Sequence, residues 1–372
     1  MYSFYSKKRL KKLESATINR VKKVVNQSKR PTTEFYYDYF LFEEQVSKNE
    51  ILSRSTKQPE HLPAALNRLD HYFLLVKLDL ACQLLSFHQM IAPVEYTKSL
   101  KTIELLAPLL EEEYFDVPAV KVYYKAYCLL RSTGDASSNF TAFENELNKY
   151  ENDISLDQLK LLNAIIRNYS VTQYHRGIDG YLSKAFSLYQ KHLKEGYLYY
   201  EDKILPSTMA NIVVFGLRMK AFDWVFDFLG EHKNKITGTT YPKIVFQLNL
   251  ANYYFYTAAY EQALDSLLFN SEDTYYRLSA KRLEIKIFYE TKHILLLPRI
   301  DAFKIYIYRL TPQNISKKQK EGNRNFIDLL KQIHLPKTYQ NEKRIDKLIT
   351  KINSLNSIAD KTWLLDKLDG LR

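Results

Sequence analysis

Histidines and carboxylates are the residues of this sequence that could take part in acid–base catalysis or metal binding. Their spacing favours neither an acid–base site nor a metal site. The eight histidines are scattered, and His61 and His71 are too far apart to share one helical face. A zinc or acid–base site needs partners at short, defined intervals, whereas Glu144 and Glu146 point to different sides of a helix. We therefore expect each histidine at the surface or at a helix end. We also expect no catalytic residue, no metal ligand and no cofactor-binding residue, in a chain that is not an enzyme.

The glycines do not form a phosphate-binding loop. Gly177 and Gly180 have neither a preceding strand pattern nor the third glycine that a dinucleotide-binding turn requires. The chain contains no loop ending in Gly-Lys-Ser/Thr, no His-Glu-x-x-His and no Gly-x-Ser-x-Gly. One enzymatic alternative stays open, an active site assembled from residues far apart in the sequence.

Basic charge is concentrated at the N-terminus. The net charge is +12, and residues 1–30 contain ten Lys or Arg residues against a single acid, Glu14. The candidate basic patch consists of Lys7, Lys8, Lys11, Lys12, Lys22 and Lys23. Such a patch suits nucleic acid, acidic lipid or an acidic protein. The competing interpretation is a solvated amphipathic helix whose apolar stripe packs on the next helix.

Composition favours a folded chain in a reducing compartment. Hydrophobic residues make up 46% of the sequence, with 9 Gly and 11 Pro, which is unlike a disordered protein. Cys82 and Cys128 each lie in an apolar helical pattern, so we expect buried thiols and no disulfide. Charges interrupt the N-terminus where a secretory signal needs an apolar run, and no later window is long enough to span a membrane. We therefore expect a cytoplasmic location without membrane insertion.

Helical periodicity covers almost the whole chain. The clearest stretch has apolar residues spaced by threes and fours and predicts one long helix. Its members are Leu62, Leu66, Leu69, Phe73, Val76, Leu80, Leu84, Phe87 and Ile91. Prolines fall between such periodic segments, where they end or begin helices. The predicted fold class is all-α.

The helices are expected to form pairs. Second helices of successive pairs are predicted to open near Asn139, Gly180, Phe222, Tyr260 and Leu296, a recurrence typical of helical-repeat proteins. We expect residues 1–372 to form a single helical-repeat array. Its parts would be a basic amphipathic helix over 1–30, helix-pair repeats over 31–312 and capping helices over 313–372. Trp363 is expected to be a packing anchor of the cap.

The segment LANYYFYTAAYEQAL resembles the tetratricopeptide repeat. Leu250, Ala251, Tyr254, Tyr260 and Ala263 match its pattern, and Ala258 stands where the family usually has glycine. Fainter copies surround residues 168–177 and 211–225, and segments 70–91, 211–229 and 359–368 resemble parts of uncharacterised bacterial proteins with such repeats and no assigned function. The resemblance implies an α–α solenoid, a right-handed superhelical array of antiparallel helix pairs.

The same resemblance suggests where a partner would bind. The positions of the family's carboxylate clamp read Arg167 with Val171, Ala210 with Val214, and Leu248 with Asn252, so we expect no such clamp. Asn168, Asn211 and Asn249 align at one equivalent position. The candidate partner-binding residues are Asn168, Asn211, Arg218, Asn249, Asn252 and Tyr256, whereas Leu217 and Phe255 are expected to pack between helices.

Repeat architecture without site chemistry indicates a non-catalytic scaffold. We expect it to bind a peptide or protein segment on a concave repeat surface, with no cofactor. The partner is not identified by the sequence. The alternative is binding of nucleic acid or another acidic surface through the basic N-terminal helix.

Overall fold

The computed structural model describes residues 11–27, 30–52, 60–90, 97–112, 117–132, 136–335 and 341–372. These residues form α-helices and short connections without a β-strand. Extended pairing among them is limited to two isolated bridges, Tyr200–Lys203 and Ile204–Ile236. The predicted all-α fold is therefore confirmed for this part of the chain.

The chain divides into two compact units, Met1–Leu198 and Tyr199–Arg372. The first contains α1 (Lys11–Gln27), α2 (Thr33–Leu52), α3 (His61–Met90), α4 (Thr97–Glu111), α5 (Pro118–Arg131), α6 (Ser137–Tyr150), α7 (Leu156–His175) and α8 (Tyr181–Lys194). The second contains α9 (Pro206–Arg218), α10 (Phe222–His232), α11 (Pro242–Tyr256), α12 (Tyr260–Ser266), α13 (Thr274–Glu290), α14 (Leu296–Arg309), α15 (Lys317–Ile333), α16 (Glu342–Ser354) and α17 (Lys361–Asp369).

Local sequence explains many helix starts. Pro118, Pro206 and Pro242 each occupy the first turn, where a missing N–H costs nothing and a fixed φ favours the helix. Ser316 begins α15 with a capping box, in which its Oγ accepts from the backbone N–H of Gln319 at 3.2 Å. Helix boundaries here are thus encoded locally.

The predicted second helices are confirmed. α6, α8, α10, α12 and α14 begin at Ser137, Tyr181, Phe222, Tyr260 and Leu296, within two residues of the expected positions. Each packs against the helix before it. Sequence-adjacent helix pairs are therefore the building blocks of both units.

In the first unit, α3 packs against α2 and α5, α5 against α6, and α7 against α8. Its core contains large, fully buried side chains such as Tyr123, Phe143 and Leu159. Cys82 and Cys128 are both free thiols. Cys82 is buried, as expected, whereas Cys128 is only half-buried.

The predicted long helix is confirmed as α3, but its regular apolar stripe faces outward. Leu66 and Leu80 are 59% and 57% exposed. The buried face of α3 is instead formed by Leu74, Leu75, Leu78, Cys82 and Leu85. The helix therefore carries apolar residues on two opposite faces.

In the second unit, the first helices of three pairs, α9, α11 and α13, pack side by side. α14 packs against α15, and α17 packs against both α15 and α16. Trp363 is buried in the core with Phe326, which confirms its expected packing role. Leu217 and Phe255 are also buried, as expected.

The turn after four successive first helices has the same backbone geometry. The second residue after each of these helices has a left-handed φ between 51° and 79°, at Gly177, Lys220, Ala258 and Lys292. At Ala258 the two hydrogen bonds of a Schellman motif form, from Ala258 N–H to Phe255 O and from Ala259 N–H to Tyr254 O. Ala258 thus adopts a left-handed conformation that glycine accommodates more readily than alanine.

None of the helices in the described ranges has the length and apolar character needed to cross a bilayer. The expected organisation as one continuous array with a basic N-terminal helix and a C-terminal cap stays a prediction.

Candidate functional site

A cavity of about 350 Å³ lies in the second unit. The three first helices α9, α11 and α13 line it, together with Asp360 at the start of α17. Polar side chains among its lining residues include Ser207, Asn249, Asn252, Ser279, Arg282 and Lys286. Tyr275 and Tyr276 add aromatic surface. The cavity therefore combines hydrogen-bonding groups with apolar walls, which is typical of binding sites.

Arg282, Lys286 and Asp360 form an ion-pair network in this cavity. Arg282 Nε lies 2.9 Å from Asp360 Oδ2, and Lys286 Nζ lies 3.0 Å from Asp360 Oδ1. Arg282 and Lys286 are one turn apart on α13, so both reach the same carboxylate. Two cations share one anion, which leaves one positive charge in excess.

The network is held in a largely apolar setting. The Lys286 side chain is only 5% exposed, and its Nζ lies 4.7 Å from the ring centroid of Phe255 and 5.6 Å from that of Trp363. Aromatic faces stabilise a desolvated ammonium group. Burial alone would raise the pKa of the Asp360 carboxyl, but Lys286 and Arg282 outweigh this effect and hold it well below its usual range.

A second cavity of about 600 Å³ adjoins the first, since Tyr275 and Arg282 line both. Arg282 Nη1 donates to Asn323 Oδ1 at 2.8 Å on this side. Gly322 on α15 brings the backbone close to the loop before α17, where its carbonyl accepts from Ala359 N–H at 3.1 Å. A Cβ on Gly322 would lie 2.9 Å from Ser357 Oγ, so glycine permits this close approach.

The structure brings two of the predicted partner-binding residues together. Asn249 and Asn252 both line the smaller cavity, and each Nδ2 donates 2.8 Å to the carbonyl one turn earlier. Asn249 is buried, whereas Asn211 on α9 is half-buried and Asn168 on α7 is exposed. The three asparagines that the sequence pattern aligns at one equivalent position therefore lie in different environments.

Arg218 and Tyr256 lie near each other at the ends of α9 and α11. Burial raises the pKa of Tyr256, and the charge of Arg218 partly offsets this rise. Burial also raises the pKa of Asp366, again with Arg218 opposing. Both predicted residues thus belong to a charged group on the second unit, but neither lines the two cavities.

Sequence reasoning missed Arg282, Lys286 and Asp360. The spacing of Arg282 and Lys286 was visible in the sequence, since basic residues four apart share one helix face. Asp360, however, is 78 residues from Arg282. Such a distant partner has no local sequence pattern.

Among the histidines whose side chains the structure describes, three are buried, although each was expected at the surface or at a helix end. His61 Nδ1 lies 2.5 Å from Glu43 Oε2, and His232 contacts Tyr199 through Nε2 at 2.8 Å. His192 Nδ1 lies 2.9 Å from Arg167 Nη1, and burial, helped by Arg167 and Lys191, lowers its pKa to about 3. All three are near helix ends, as predicted. Tertiary packing at those ends, which periodicity does not register, buries them.

No cluster of three or more potential metal ligands occurs within the described ranges. Of the predicted basic patch, Lys12, Lys22 and Lys23 are exposed on α1, and Lys11 is its first residue. Lys7 and Lys8 lie outside the described residues.

Comparison with known proteins adds no relative. No protein-family model matches the chain, and neither the curated proteins nor the solved structures contain a significant match. What is established is therefore an all-helical fold of sequence-adjacent helix pairs.

Proposed function

We propose that this chain is a non-catalytic scaffold that binds a segment of a protein partner in the 350 Å³ cavity. In this proposal the helix pairs form a tetratricopeptide-like solenoid with a right-handed superhelical course. The main support for this proposal is that the first helices of three successive pairs, α9, α11 and α13, line one cavity. Repeat proteins commonly bind extended segments on such surfaces.

The chemistry of the lining indicates what kind of segment fits. Asn249 and Asn252 carry both donors and acceptors, which suit the peptide groups of an extended chain. The excess positive charge of Arg282 and Lys286 over Asp360 favours an acidic side chain. The volume suits one or two side chains of the partner. We propose an extended segment with an acidic residue as the ligand.

Site-specific photocrosslinking tests this proposal. A photoreactive amino acid is placed at Ser279, inside the cavity, and in a separate variant at Tyr308, which is 84% exposed and outside it. Both are exposed to native-source lysate, and crosslinked peptides are identified by mass spectrometry. We expect Ser279 to crosslink a discrete segment containing Asp or Glu that Tyr308 does not.

The identified segment is then synthesised and its affinity measured. Ser279→Trp fills the cavity and is expected to weaken binding at least ten-fold, while Tyr308→Ala leaves it unchanged. Asn252→Leu removes the amide at similar volume and is also expected to weaken it. Equal binding by the folded Ser279→Trp variant would show that the cavity is not the site.

The alternative, binding of an acidic surface, draws on the exposure of Lys12, Lys22 and Lys23 on α1. Under this alternative, replacing all three lysines by Glu in the full chain removes three phosphate contacts. The slope of a plot of log K for nucleic-acid binding against log salt concentration should then become shallower by about 2.7. This alternative is ruled out if the chain does not bind duplex DNA. It is also ruled out if binding does not depend on salt or on these three substitutions.

A further inference from the structure

The outward face of α3 carries a regular apolar stripe along nearly its whole length. We define the outer stripe as Leu62, Leu66, Leu69, Phe73, Val76, Leu80, Gln83 and Phe87. Six of its seven apolar members are exposed and Val76 is half-buried, while the opposite face of α3 lies in the core. A helix that is apolar on two opposite faces is normally covered on both.

The spacing within the outer stripe alternates strictly between four and three residues. This period of 3.5 is the one that keeps a seam facing a second helix in a left-handed coiled coil. From Leu62 to Phe87 the seam is about 38 Å long at 1.5 Å per residue. The stripe therefore fits another long helix better than a compact ligand.

The outer stripe is complementary to itself when two copies run antiparallel. Its residues pair symmetrically about the midpoint between Leu74 and Leu75. Leu62 then faces Phe87, Leu66 faces Gln83, Leu69 faces Leu80 and Phe73 faces Val76 of the second copy. A two-fold interface uses one surface patch twice in this way.

Charges beside the stripe favour the same arrangement. Asp70 is exposed and Lys77 half-exposed on one flank of the stripe, seven residues apart. In an antiparallel pair Asp70 lies beside Lys77 of the other copy, twice per dimer. In a parallel pair Asp70 would face Ala65 and Lys77 would face Tyr72, without charge pairing.

Neighbouring side chains widen the surface. Tyr37 on α2 lies against Tyr72 of α3, with ring centroids 5.1 Å apart, and Tyr37 and Leu41 are both exposed. Monomeric proteins seldom expose contiguous apolar patches larger than a few hundred Å². We propose that the outer stripe binds the outer stripe of a second copy of this chain, giving an antiparallel homodimer.

The mass of the full chain in solution tests this proposal. Sedimentation equilibrium at micromolar concentrations is expected to give twice the chain mass of 44.0 kDa. Leu66→Glu and Leu80→Glu alter exposed side chains, so each variant should keep its helical circular dichroism. The dissociation constant of its dimer should rise at least 100-fold. The matched control is Leu268→Glu, at a residue 80% exposed on the second unit, which should leave dimerisation unchanged.

A charge swap tests the antiparallel register. Asp70→Lys alone and Lys77→Asp alone are each expected to weaken the dimer about ten-fold, because two attractive pairs become repulsive. The double variant, Asp70→Lys with Lys77→Asp, should restore affinity to within about two-fold of the wild type. Failure of this rescue overturns the register.

Two other results would overturn the homodimer itself. One is a wild-type chain that stays monomeric. The other is a dimer that is unaffected by Leu66→Glu and Leu80→Glu, which would show that the two copies bind each other through a surface other than the outer stripe.

Discussion

Lys286 Nζ lies 3.0 Å from Asp360 Oδ1, and this contact joins α13 to the first turn of the C-terminal helix α17. The lysine is almost fully buried between Phe255 and Trp363. The same pair therefore lines the candidate binding cavity and stabilises the packing of the last helix.

Asp360→Asn should destabilise the second unit strongly. The change leaves Lys286 as a buried ammonium without its carboxylate, and breaking one side of a buried ion pair costs about 3 kcal/mol or more. Urea unfolding followed by the fluorescence of Trp224 and Trp363, which both lie in the second unit, measures the loss in unfolding free energy.

Lys286→Met is the matched comparison, because it removes the buried charge and leaves Asp360 paired with Arg282. It should cost clearly less than Asp360→Asn. If Lys286→Met lowered the free energy of unfolding as much as Asp360→Asn or more, the charge pairing would not be what stabilises this contact.

His192 should make the first unit sensitive to mild acid. Its pKa falls from 6.5 in the unfolded chain to about 3 in the folded protein, through burial and the charges of Arg167 and Lys191. The unfolded state therefore binds the proton first, and stability is lost as pH falls below 6.5. Between pH 7 and 5 the loss is about 2 kcal/mol, from the linkage of proton binding to unfolding.

Thermal or urea unfolding across this pH range gives the measurement. His192→Gln should unfold with a smaller pH dependence than the wild type, whereas His175→Gln, at an exposed histidine of the same unit, should not differ. An unchanged pH dependence in His192→Gln would contradict the assignment.

Ala258→Gly should stabilise the protein. Ala258 has φ of 58°, and a left-handed backbone costs a non-glycine residue about 1 kcal/mol. The neighbouring Ala259 has φ of −83°, so Ala259→Gly should instead lower stability through the extra freedom of the unfolded chain. Opposite signs for two adjacent Ala→Gly changes in urea unfolding are the expected result.

Gly322→Ala should destabilise the contact between α15 and the loop before α17. Its new Cβ would meet Ser357 Oγ at 2.9 Å, and crowding of a packed site costs about 1–3 kcal/mol. Adding Ser357→Ala removes the crowding atom, so the double variant should lose less than the sum of the two single changes. Additive losses would argue against a direct clash.

Much of the fold follows from sequence pattern. The long helix α3 and the starts of five second helices follow from local spacing and helix-start residues, which act over a few neighbours. Which face of α3 is exposed does not follow from the sequence pattern. The helix has two apolar faces, and the pattern does not indicate which of them packs into the core. The left-handed backbone of Lys220 and Lys292 also could not be predicted from the sequence, since lysine has no preference for that conformation.

The candidate site was only partly predictable. Asn249 and Asn252, which line the smaller cavity, are among the predicted partner-binding residues because the sequence places both on the first helix of a pair. The charge network was not found, because Asp360 reaches Arg282 through tertiary packing across 78 residues. Ion pairs between distant segments depend on the whole fold.

The repeated turn between paired helices limits where this chain can change length. Each Schellman turn fixes the backbone through hydrogen bonds of neighbouring residues, so an inserted residue there would break the pair. The connections between pairs, such as residues 233–241 and 267–273, lie outside these turns. Insertions and deletions should therefore accumulate between the pairs, which lets the spacing of successive helix pairs vary while the hairpin itself stays constant.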